Sequence, residues 1–338
     1  MPIQKLQYRP GINRDVTSYT NEGGWVDSDK VRFRFGFPEK IGGWVKYSTN
    51  TYLGSARSLF SWVALSGTKF IGMGTNIKYY VVQGADFNDI TPLRKTTTGT
   101  ATFSVANGAA VATVTDSNNG SNVGDFVTFS SAASLGGNIT AAVLNQEFEI
   151  QTVPTANTYT INLSATANGS DSGNGGGSTV AKYQIDCGLD TQVGGTGWGA
   201  GTWQRGTWGS AADVTTITEL ALWSEDNFGE DLLLNHRDAA IYYWDKSSGV
   251  TARAVNLSSL TGSSDCPTIA KQVMVSDNSR HIIAFGANTL GTSVQDPLLI
   301  RFSSSESLTQ WTPDATNSAG DLRIGTGSEF ITAVETKR

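Results

Sequence analysis

Two histidines, His236 and His281, are all that this 338-residue chain offers for imidazole chemistry. A metal site or a hydrolytic triad needs several ligands converging, or a base held beside a nucleophile. His236 stands in a turn beside Arg237-Asp238 and His281 opens a strand, so turn and strand-edge roles are expected for both. The close carboxylates Asp27/Asp29 and Glu147/Glu149 fall at strand spacing, where a solvated face explains them better than a glycosidic acid and base. Cys187 and Cys266 lack CxxC spacing and are expected to be reduced and partly buried. The glycine-rich stretches are followed by neither Gly-Lys-Ser nor Gly-Lys-Thr, and by no helix to offer its N-terminus to a phosphate. No catalytic residue, cofactor or metal is therefore expected.

Two features remain as candidates for contact rather than catalysis. Val31-Arg32-Phe33-Arg34-Phe35 alternates strictly, which sets both arginines on one strand face and both aromatics on the other, with Lys30 beside them. Phosphate contact needs positive charge along a line, and arginine interleaved with aromatics equally suits subunit contact. The second is Trp198, Trp203 and Trp208, five residues apart on a glycine backbone that can lie close against other chains. Lys30, Arg32, Arg34 and these three tryptophans are the candidate interface or DNA-channel residues, with subunit contact favoured over DNA.

Apolar residues make up 38% of the chain and charged residues 16%, with 38 glycines and nine tryptophans. Typical values are about 45–50% and about 25%, so small neutral polar residues fill the gap. Period-two alternation dominates, and a helical bundle is excluded. No run of eighteen apolar residues is present and the start lacks the apolar core of a signal peptide, so neither membrane insertion nor export is expected. The net charge of −6 is uneven: residues through Arg57 carry +4 and the rest −10.

The organisation predicted from these patterns is all-β. A basic leader with a hairpin turning at Gly36 to Lys40 spans 1–57, and a first meander spans 58–94. An inserted sandwich or barrel of five short strands spans 95–182, and a Gly/Trp-rich loop spans 183–215. Further meanders fill 216–338, where Phe330 to Val334 reads as the first strand of a next unit. In the second meander the first strand is placed at Thr218 to Trp223 with a turn at Asp226-Asn227. The run Gly169 to Gly177 is expected to be a flexible linker. Tyr79-Tyr80 and Tyr242-Tyr243 recur at equivalent strands, and the exit Leu308 to Pro313 echoes Asp89 to Pro92. Antiparallel repeats of roughly 40–50 residues point to β-propeller blades, an incomplete set here. The Ser-x-Asp-x-Gly-x-x-Trp turn of propeller sialidases is not found.

Gly11-Ile12-Asn13-Arg14-Asp15 and the stretch from Gly24 to Trp44 resemble the opening of tail-hub or packaged-DNA-stabilisation (tail nozzle) proteins of short-tailed bacteriophages. The likeness continues through Asp89 to Leu93, Gly124 to Phe129 and Gly197 to Gly201. The resemblance implies a structural, non-enzymatic virion tail component: a ring of subunits, six in number, below the portal and its adaptor. Distal needle or fibre proteins and, in passing, packaged double-stranded DNA are the other implied partners. An acidic wall suits that role, since a basic lumen would hold the DNA. The competing expectation is a carbohydrate-binding propeller whose tryptophans stack on sugars.

Overall fold

A computed structural model describes residues 9–43, 45–188 and 222–336. The chain divides into two compact units, residues 1–49 and 50–338.

In the first unit β1 (Val31–Arg34) pairs antiparallel with β2 (Phe37–Lys40), Arg32 opposite Glu39 and Arg34 opposite Phe37. Phe35 and Gly36 form the turn with φ of +50° and +85°, the two left-handed residues of a tight hairpin loop whose twist matches its strands. The expected turn at Gly36 to Lys40 is thus corrected: Phe37 to Lys40 is strand. Trp25 packs edge-on against Phe33 with ring centroids 6.0 Å apart.

The second unit opens with a four-stranded antiparallel meander, β3 (Ala56–Val63), β4 (Lys69–Thr75), β5 (Tyr79–Gln83) and β6 (Asp86–Asp89). Seven strands follow: β7 (Leu93–Thr98), β8 (Thr102–Val105), β9 (Val111–Thr115), β10 (Phe126–Ser130), β11 (Glu147–Thr155), β12 (Thr158–Asn162) and β13 (Val180–Gln184). A second meander is β14 (Trp223–Phe228), β15 (Asp231–His236), β16 (Ile241–Trp244) and β17 (Val255–Asn256). The third is β18 (Gln272–Val275), β19 (Ile282–Phe285), β20 (Leu299–Phe302) and β21 (Gly320–Arg323).

The meanders stack face to face as propeller blades. Trp62, Phe70, Tyr79 and Val81 of the first share one core with Trp223, Leu232, Leu234 and Trp244 of the second. Leu233 and Ile241, pointing the other way from the same second sheet, join Val273, Val275, Ile282 and Ala284 of the third. Strand alternation thus buries blade two on both faces, which a single meander cannot do for itself. Gly74 in β4 makes the approach of blade two possible, and Gly72 leaves room for Tyr79 within blade one. A Cβ on Gly74 would lie 2.4 Å from Cδ1 of Trp223, and one on Gly72 would lie 2.4 Å from the Tyr79 hydroxyl.

The inserted strands form one sheet in the order β7-β13-β10-β11-β12-β9-β8. Its two edges, β7 and β8, are joined by only Gly99, Thr100 and Ala101. Such a link reaches about 14 Å, whereas edges of a flat seven-stranded sheet stand about 28 Å apart. The sheet therefore curls into a half-barrel around Phe103, Val127, Phe129, Ile150, Tyr159 and Tyr183. Five strands were expected and seven occur; β7 and β13 hide in polar sequence. The glycine run is no loose linker. The Phe103 N–H donates to Asn174 O at 3.0 Å and the Ala133 N–H to Gly175 O at 2.7 Å, and a Cβ on Gly175 would strike the Phe103 ring at 2.5 Å.

Further sequence expectations shift. Asp226 and Asn227 lie within β14, not in a turn. Leu308 to Pro313 precedes the fourth strand of its blade, whereas Asp89 to Pro92 closes the first blade. Phe330 to Val334 carries no strand pairing, although Ala333 is fixed to β18: its N–H donates to Gln272 Oε1 at 2.8 Å and its carbonyl accepts from Nε2 at 2.7 Å.

Candidate functional site

The β1–β2 ladder sets the basic candidates. Arg32 is hydrogen-bonded to Glu39 directly across the hairpin, so one of the three expected positive residues is neutralised by the opposite strand. Arg34 places its guanidinium carbon 5.4 Å from the centroid of Phe35. Lys30 is exposed, with Nζ 3.8 Å from Asp29. The arginines do share a face, together with Glu39 and Phe37, while Phe35 belongs to the turn. Trp198, Trp203 and Trp208, with the strand expected at Thr218 to Ala221, lie outside the described residues.

Both histidines bond to backbone. His236 Nε2 donates to the Cys187 carbonyl at 2.7 Å, its ring 4.9 Å from that of Trp223, and burial pushes its pKa down so that it stays neutral. His281 Nδ1 donates to Ser303 O at 2.7 Å. Cys187 and Cys266 are buried free thiols, and burial pushes the latter up to about 12. Among the described residues no group of three or more His, Cys, Asp or Glu is placed to hold a metal ion. None of the described helices is long and apolar enough to cross a membrane.

A dense polar cluster gathers Glu147, expected only as part of a solvated face, around Lys78, which the sequence patterns did not single out. Lys78, immediately before β5 and almost fully buried, sets Nζ 2.7 Å from Asp89 Oδ2, 2.7 Å from both oxygens of Glu147 and 3.0 Å from Gln184 Oε1. Its ammonium also lies 4.7 Å from the Phe126 ring centroid. Arg253 completes the cluster, 2.8 Å from Asp89 and 3.6 Å from Glu147. Two cations balance two carboxylates where blade one, the half-barrel and blade two meet. The available signal was a lysine inside the apolar run Ile77 to Val82, since buried lysine is rare unless paired.

A second arrangement runs between blades along their first strands. Ser224 Oγ accepts from the Val273 N–H at 3.0 Å and Asp226 Oδ2 from the Val275 N–H at 2.7 Å, tying β14 to β18. On the opposite face of β14, Glu225 bonds to Ser58, and burial pushes its carboxyl up to about 7 against that bond. Its Oε2 and the hydroxyl of fully buried Tyr79 lack hydrogen-bond partners. Burial, with the Glu225 charge second, raises the Tyr79 phenol well above its ordinary value. Trp223 Nε1 donates to Thr75 O at 2.7 Å and Trp62 Nε1 to Glu230 O at 3.0 Å, locking blades one and two together.

The first turns of the three blades gather around a cleft of about 460 Å³ lined by Leu65, Phe228, Glu230, Asp245, Lys246 and Arg280 among others. Its carboxylates are engaged: Glu230 with Lys246 at 2.8 Å and the Leu65 N–H at 2.7 Å, Asp245 with Ser247 and Ser248. Arg280 lies over Phe228 at 5.4 Å.

No family model and no curated protein matches the sequence. Among solved structures, the endosialidase of phage phi92 is similar over 87% of this chain and 41% of its own, with 12% identity and a TM-score of 0.23. This chain thus spans less than half of that protein's length, and at that TM-score the likeness carries no argument about fold or activity.

Proposed function

We propose that the chain is a structural tail component of a short-tailed bacteriophage, a nozzle or hub subunit. In this reading copies assemble into a ring, six as the family resemblance implies. The ring joins the portal and adaptor to the distal needle or fibre proteins, retains packaged DNA and conducts it during ejection. The observation that carries the reading is where the polar groups are spent. Lys78, Arg253, Asp89, Glu147, Ser224 and Asp226 all bond one blade or domain to the next. Such bonds stiffen a wall and leave no free acid, base or nucleophile among them. A net charge of −10 beyond Arg57 fits a surface past which DNA slides. Mass photometry of the purified chain, alone and with portal and adaptor proteins, tests the proposal: co-assembling closed oligomers without hydrolytic turnover are expected, and a monomer indifferent to both overturns it.

The cleft at the first turns favours one second reading, a saccharide-binding propeller. Phe228, Arg280 and Asp245 offer an apolar body, a donor fork and an acceptor at one opening. A glycan array separates the two: retained glycans whose binding is lost in Arg280→Ala support the saccharide reading, and an empty array removes it.

A further inference from the structure

The described residues of the first unit place no large apolar side chain in a buried core. Tyr19 is 95% exposed, Phe35 88% and Phe37 74%, with Val45 and Tyr47 also exposed. Phe35 in the hairpin turn and Phe37 at the start of β2 stand two residues apart, so the tip of the hairpin exposes two aromatic rings together, as an interaction site would. The aromatic tip is built at a conformational cost, because Phe35 holds φ at +50° where glycine or asparagine would be at ease. Its ring is further placed under the Arg34 guanidinium, so the tip presents an aromatic and a positive charge together. Charge points to the partner. Residues 1–49 hold eight basic and five acidic side chains, a net +3, against sixteen basic and twenty-five acidic in residues 50–338, a net −9.

We infer that this N-terminal unit is an arm that docks on the acidic body of a second copy of the chain, with Phe35 and Phe37 as its anchors. Aromatic anchors carry affinity at such contacts, and the opposite net charges speed and orient the encounter. The body offers a matching apolar row, because β3 exposes Leu59, Val63 and, just beyond its end, Leu65. The inference rests on the ring reading, since it needs copies that associate.

Two measurements on the full chain test it. First, equal amounts of ¹⁴N and ¹⁵N chain are treated with a carbodiimide, which joins lysine to carboxylate without a spacer. Cross-links of mixed isotope from Lys30 or Lys40 to carboxylates of residues 50–336 are expected; arm-to-body cross-links of single isotope alone overturn the inference. Second, the double variant Phe35→Asp/Phe37→Asp, checked for an unchanged melting temperature, is expected to weaken self-association on the order of tenfold or more. A parent that assembles and a variant that assembles equally well overturn the arm and leave the ring reading standing. A parent that stays monomeric at tens of micromolar overturns both.

Discussion

Glu225 and Lys78 show two ways in which this chain buries charge, and each leads to a measurable consequence. Glu225 lies beside Ser58 and Tyr79 with one oxygen orphaned, and its carboxyl is raised to about 7 from an ordinary 4.5. A group that holds its proton more tightly when folded stabilises the protein below the unfolded pKa. That contribution is lost as pH rises from about 4.5 to about 7, and the curve is flat above, where both states are ionised. The loss is on the order of 3 kcal/mol at most. Glu225→Gln is therefore expected to raise the melting temperature at pH 8 and to leave it little changed at pH 4.5; an equal shift at both pH values would show that ionisation is not the cause. Lys78 is the opposite case, a buried cation fully surrounded by acceptors. Lys78→Met leaves Asp89 and Glu147 to Arg253 alone, and since both carboxylates are partly exposed the cost falls at the low end of the buried-pair range, about 3 kcal/mol. Chemical denaturation reads it directly, and an unchanged midpoint would deny the cluster a structural role.

At the level of the strand, apolar alternation made the inner parts of the blades legible, and side-chain function hid the rest. Leu59 to Val63, Asp231 to Asn235 and Ile282 to Phe285 read as strands because their buried faces are apolar, and the recurrent tyrosine pair does mark the third strand of blades one and two. The polar run Ser224, Glu225, Asp226 and Asn227 hides β14, with its last two residues expected as a turn. Three of these four bond to neighbouring blades, a use of polar residues that no periodicity reveals. The outer strands β6, β17 and β21 are too short and polar to stand out. Glycine carries packing here: Gly175 packs against Phe103 where a flexible linker was expected, and Gly74 is a bare floor for Trp223. Gly74→Ala forces the Trp223 ring away from blade one, at an expected cost of about 1–3 kcal/mol. Tryptophan fluorescence should red-shift along with the lower melting temperature; a fully tolerated alanine would mean that the blades are not held by this contact.

For the whole molecule, the all-β class, the blades and the insertion between the first two were readable from composition and repeat, while the attachment of the insertion was not. Its Glu147 and Gln184 reach Lys78, so the half-barrel is bonded to the first blade by side chains. Arg32 and Arg34 share one strand as their alternation implies, but Glu39, paired with Arg32 from the other strand, can be placed only once the hairpin register is known. In the proposed reading, blades tied by side-chain-to-backbone bonds form the wall of a ring. Negative-stain imaging of the purified 338-residue chain is the most direct measurement. Closed rings with a central opening, sixfold on averaging, are the expected result, and a field of single particles of one chain each would contradict the proposal.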